Sequence, residues 1–102
     1  METNILVIGR DRAILEVIER LINSHEGWRA TITETEEAAE KAVEEKLFAI
    51  AFVSAGFSGQ EEEAIRQKLT RINPELVVTR HYGGGSGLLE NEILGILEKG
   101  KQ

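Results

Sequence analysis

The 102-residue chain has no cysteine and a single proline. Without cysteine there are no disulfides, no thiolate chemistry and no zinc sites built on Cys. No apolar run approaches the roughly 20 residues needed to cross a bilayer, so no membrane partner is expected. The opening METNILVIG has neither a basic stretch nor a cleavage site; no secretory signal is read, and a cytoplasmic location follows by default. Positive charge is also scarce: 12 Lys and Arg stand against 18 Asp and Glu, a net charge of −6. That balance argues against a nucleic-acid partner, because neutralising phosphates takes a basic face. What remains is an ordinary globular composition, 41% apolar and 29% charged, at a length that suits one domain over residues 1–102.

Leu47 to Val53, LFAIAFV, is apolar without a break and reads as a strand buried in the middle of a parallel sheet. Ile5-Leu6-Val7-Ile8 is a second such strand, closed by Gly9. Asp11 is placed to cap a helix carrying Ile14, Leu15, Ile18, Leu21 and Ile22 at helical spacing, with Gly27 as its terminator. Trp28 to Thr33 alternates, Trp28, Ala30 and Ile32 against Arg29, Thr31 and Thr33, as a strand at a sheet edge does. Thr33 with Glu36 forms a capping box, Thr35 is an equally good cap, and the helix that follows runs to about Lys46 on Ala38, Ala39, Ala42 and Val43.

Ser58 and Glu61 form another capping box, opening a helix with Ala64, Ile65, Leu69 and Ile72 inward and ended by Asn73-Pro74. Leu76 to Thr79 is a short fourth strand. Arg80-His81-Tyr82 and Gly83-Gly84-Gly85-Ser86-Gly87 lead to a last helix, with Ser86 as its cap and Gly100 at its end. Short connections and right-handed crossovers make this a doubly wound α/β domain, a four-stranded parallel sheet in the order 2-1-3-4 with helices on both faces. The switch point then brings Gly9, Arg10 and Asp11 beside Ser54 and Ala55, with Thr79 and Arg80 flanking.

These segments resemble the receiver domain of two-component response regulators. ILVIGRDRAILEVIERLI is similar to a receiver's opening strand and helix, and LFAIAFVSAGFSG to its third strand and following loop. The likeness covers roughly the first 80 residues. By that resemblance Gly9 and Arg10 stand where receivers carry the acidic pair that holds Mg²⁺, with Asp11 one position later. Ser54 stands at the phospho-accepting Asp, and Thr79 at the usual hydroxyl position. The fifth strand with its Lys is missing. Phosphoryl transfer to a carboxylate needs a carboxylate nucleophile and a metal held by oxygen ligands, so the resemblance implies a pseudo-receiver without aspartyl phosphorylation. Ser54 with Gly83-Gly84 is also similar to elements of cobalamin-binding domains, but DRAILE, from Asp11, lacks the His that ligates cobalt.

The expected function is therefore a non-catalytic signalling or adaptor module, with no catalytic residue, metal or cofactor, whose partner is a kinase, another regulatory domain or itself. A homodimer through strand 4 and the last helix is one form of it. A second reading is a small-ligand domain holding a phosphate-bearing molecule at Arg10, Arg80, Gly83, Gly84, Gly85 and Ser86, a glycine loop at a helix N-terminus. A third is an idealised, engineered α/β domain without evolved activity. His25 reads as a surface residue, and His81 has no nearby acid or second His to make it a metal or catalytic candidate. Trp28 is expected to pack at the start of the edge strand. Glu61-Glu62-Glu63 reads as a first-turn acidic run that suits the helix dipole.

Overall fold

A computed structural model describes residues 2–54, 56–80 and 86–99. Its elements alternate: β1 (Thr3–Ile8), α1 (Arg12–Asn23), β2 (Trp28–Thr33), α2 (Glu36–Glu45), β3 (Ile50–Val53), α3 (Gly59–Ile72), β4 (Val77–Arg80) and α4 (Ser86–Lys99). The four strands form one parallel sheet in the order β2-β1-β3-β4. The fully apolar strands lie inside it and the alternating one at an edge, as their patterns require. No helix among the described residues is long and apolar enough to cross a membrane.

Because successive strand residues face opposite ways, β1 feeds two cores. Leu6 and Ile8 join Ala39, Val43, Ile65 and Leu69 of α2 and α3 on one face. Ile5 and Val7 join Leu15, Ile18, Ile22, Leu89 and Ile93 of α1 and α4 on the other. Burial of β1 and β3 on both faces explains why neither strand shows alternation in its sequence.

The boundaries depart from the sequence pattern at several places, each for a local reason. β3 begins at Ile50, not at Leu47, because pairing with β1 starts at Ile5↔Ile50. Phe48 is buried, whereas Leu47 is 79% exposed. β4 is shifted by one residue, to Val77–Arg80. Helix α1 ends on Ser24 as its C-cap, three residues before Gly27. Gly27 instead takes φ +89 in the turn into β2, a left-handed conformation that suits a residue without Cβ, and its carbonyl accepts from Thr3 N.

Thr33 is not a cap. It ends β2, buried, and its Oγ1 donates to Val7 O, so Thr35 caps α2 by accepting from Ala38 N. Ile14, Ala38 and Ala64 point outward, each one position off the stripe that its helix turns to the sheet. Ser86 is the first residue of α4, not the residue before it.

Candidate functional site

The carboxyl ends of β1 and β3 meet where the sequence places them. Ser54 N donates to Ile8 O at 2.8 Å, and Gly9 N donates to Thr33 O at 3.1 Å. These bonds extend the ladder one residue past each strand and set Gly9 against Ser54. The approach is close: a Cβ on Gly9 would lie 3.1 Å from Ser54 Cβ and 2.8 Å from Leu15 Cδ2. Ser54 is only 5% exposed and Leu15 is fully buried. The bottom of the crevice is therefore filled by an aliphatic side chain and a small hydroxyl residue.

Arg10 and Asp11 turn away from that point. Asp11 caps α1, its Oδ1 accepting from Ala13 N at 3.0 Å and Ile14 N at 3.4 Å. Its carboxylate thus serves the helix end, where orphan N–H groups and the dipole favour negative charge. The Arg10 guanidinium lies over the Phe57 ring, 4.6 Å from its centroid, and pairs with Glu61. Its aliphatic stem also lies 3.7–4.0 Å from where a Cβ on Gly56 would stand. Gly56 itself adopts φ +109, which any L side chain would strain.

From the other side, β4 brings Thr79 opposite Phe52 and Arg80 opposite Val53. Thr79 is half-buried. Arg80 Nε lies 2.7 Å from Glu62 Oε1, and its Nη2 donates to Phe57 O at 2.7 Å.

The first turn of α3 is thus what organises the site. Ser58 and Glu61 make the capping box: Glu61 N donates to Ser58 Oγ at 3.1 Å, and Ser58 N donates to Glu61 Oε1 at 2.9 Å. Glu61 then holds Arg10 and Glu62 holds Arg80, while Glu62 and Glu63 both hold Arg66. The Ser58 backbone N–H, followed by Arg10, keeps the Glu61 carboxyl below the usual carboxylate range. Burial alone would lower the Arg66 pKa, but Glu63 and Glu62 outweigh it and raise it. The acidic run does more than suit the dipole: it collects three arginines from three other places in the chain or helix.

Of the residues singled out by sequence, Gly9 and Ser54 come together; Arg10 and Asp11 sit at the same end but turn to α3 and to the start of α1; Thr79 and Arg80 flank them from β4. Ala55, His81, Tyr82 and Gly83–Gly85 lie outside the described residues, as does Gly100. Among the described residues no cluster of three or more His, Cys, Asp or Glu side chains could hold a metal ion.

His25, read from sequence as a surface residue, is half-buried and stacks on Trp28, ring centroids 3.6 Å apart at 12°. Its Nε2 lies 3.8 Å from Glu90 of α4. The i, i+3 spacing of His25 and Trp28 was the available signal, but the turn at Gly27 that folds one ring onto the other is not a helical one.

No protein-family model matches the sequence, and no curated protein matches it. Among solved structures, the chain is similar to a CheY-like response regulator receiver domain protein from Methanospirillum hungatei, at 16% identity and a TM-score of 0.81, covering 99% of this chain and 98% of that one. A CheY-like receiver domain from Methylobacillus flagellatus matches at 12% identity and a TM-score of 0.73, covering 94% and 99%. A pilus assembly-related protein from Burkholderia pseudomallei matches at 26% identity and a TM-score of 0.59, covering 85% and 68%.

Proposed function

We propose that this receiver-like fold is a non-catalytic signalling or adaptor module that acts by protein–protein contact without aspartyl phosphorylation. The observation that carries this reading is the packing at Gly9. Where receivers place an acid, a Cβ would stand 2.8 Å from the buried Leu15 side chain, so the space for a metal-binding carboxylate is occupied by aliphatic carbon. Three further features support it: Ser54 replaces the acceptor carboxylate, Asp11 is taken up as a helix cap, and Arg10 brings positive charge to the mouth of the crevice. Transfer of a phosphoryl group needs an oxygen-liganded cation to neutralise developing charge, and these residues do not supply one. The same fold in a pilus assembly-related protein suits a module whose work is contact.

The phosphate-ligand reading gains less support. Arg10 and Arg80 each already face a carboxylate of α3, and an incoming anion must displace Glu61 or Glu62.

The test is intact-mass measurement after incubation with acetyl phosphate and Mg²⁺. The expected mass is unchanged. A gain of one phosphoryl group overturns the reading.

A further inference from the structure

At the opposite end of the sheet from Ser54, a groove of about 860 Å³ runs along the starts of β3 and β4 and the carboxyl-terminal half of α4. Leu47, Phe48, Val77, Leu94 and Leu97 line it. Leu47 is 79% exposed, Val77 41% and Leu94 40%. These are three of the five large apolar side chains that stand exposed among the described residues, and they are gathered in one place. Single exposed apolar residues are ordinary; here three stand together around one groove and offer a partner a shaped apolar surface to cover.

The backbone that presents them is fixed. Asn4 Nδ2 donates to Leu47 O at 3.2 Å, and Asn4 O accepts from Ala49 N at 2.9 Å. Asn73 Nδ2 reaches Phe48 O at 3.5 Å, and Val77 N donates to Ala49 O at 3.3 Å. Leu47 is held on a bracketed segment, so little backbone freedom is lost when something covers it.

We infer that this groove receives an amphipathic helix of a partner protein whose apolar face is flanked by lysine or arginine. The inference rests on the contact-based function proposed above and names the surface and the partner. The charge of the groove selects the occupant. Among the described residues its charged lining is Glu75 and Glu98. A second copy docked groove to groove would bring both copies' Glu75 and Glu98 into one interface, where like charges oppose association. A partner with basic flanks is paired there instead. Its secondary structure follows from the β4 edge. Val77 N bonds inward to β3, so by alternation Val78 turns its backbone to the free edge. There Val78 O accepts from Arg66 Nη2 at 3.2 Å. An added strand would have to displace that guanidinium, whereas a helix laying apolar residues at i, i+3, i+4 and i+7 into the groove need not touch it.

The experiment titrates the full chain with two synthetic helical peptides. Both carry leucine at those spacings; one has lysine flanks and the other glutamate flanks. Binding is read by anisotropy of the labelled peptide and by backbone amide NMR shifts. The lysine-flanked peptide is expected to bind with shifts centred on Leu47, Val77 and Leu94, and the glutamate-flanked one about tenfold more weakly or worse. Leu47→Asp, at a site so exposed that its circular dichroism stays that of the parent, is expected to lose at least about tenfold in affinity. Glu75→Lys with Glu98→Lys reverses the preference between peptides.

Equal binding of the two peptides, binding of neither, or shifts centred elsewhere overturns the inference. So does self-association of the parent chain that Leu47→Asp abolishes, which assigns the groove to a second copy. None of these outcomes touches the acetyl phosphate result. A phosphoryl gain sinks the non-catalytic reading while leaving the groove, and misplaced shifts with an unchanged mass do the reverse.

Discussion

A methyl group added at position 9 would land 2.8 Å from Leu15 Cδ2 and 3.1 Å from Ser54 Cβ. Distances that short force a neighbour to move, and the nearer one, Leu15, is fully buried in the core. Gly9→Ala is accordingly expected to cost about 1–3 kcal/mol, the usual range for overpacking a tight site, read as a lower urea midpoint with unchanged slope. Combining it with Leu15→Ala should cost less than the sum of the two single changes, because each relieves the other's misfit. Glu61 gives a residue-scale prediction in acid. Its carboxyl is held below the 4.5 of a free glutamate by the Ser58 N–H first and by Arg10 second. A group whose pKa is depressed on folding stabilises the fold above its unfolded value, and that contribution disappears as pH falls through the folded value. The stability gap between the parent and Glu61→Gln should therefore be full at pH 6–7 and close as pH falls below about 4.5. A gap that stays constant across that range in urea titrations would show that Glu61 contributes no pH-dependent stabilisation.

Helix α3 does more than cover one face of the sheet. Its first turn binds Arg10 and Arg80, and from its second turn Arg66 reaches Val78 O on the open side of β4. An unpaired parallel edge invites another strand, and a cation placed on it is one way a protein discourages that. Arg66→Ala should leave Val78 O without this donor and raise concentration-dependent self-association, seen by sedimentation; a variant as monodisperse as the parent at high concentration would remove Arg66 from this role.

The ends of α3 were legible in sequence, since Ser58-x-x-Glu61 and Asn73-Pro74 are local chemical signals. The partners of its acids were not, because Arg10 stands 51 residues from Glu61 and nothing in either segment announces the other. The seven-residue run Leu47–Val53 shows a related limit. Hydrophobicity alone joined a buried strand to an exposed leucine, and only the register with β1 separates them.

For the whole molecule, the strand order was readable because a chain with two uninterrupted apolar strands and one alternating strand has few ways to bury the first two. That order also brings Gly9 and Ser54 to one crevice, since both follow directly on neighbouring strands. The groove at the far end had no such signature. Leu47, Glu75, Val77 and Leu94 come from separate segments, and each by itself reads as an ordinary surface or strand residue. Carboxyl-end sites follow from topology, whereas amino-end grooves depend on how connections pack.

The central position of β1 also has a consequence for how the chain is made. Strand β1 lies between β2 and β3 in the sheet, yet its β3 partner, beginning Ile5↔Ile50, arrives some 45 positions later. A chain emerging from the ribosome can close β1-α1-β2 early, but it must then hold the other flank of β1 unpaired until β3 appears. Loop closure over that separation is entropically slow. During that interval the nascent chain exposes one bare edge of a strand whose residues Ile5 to Ile8 are fully buried in the finished fold.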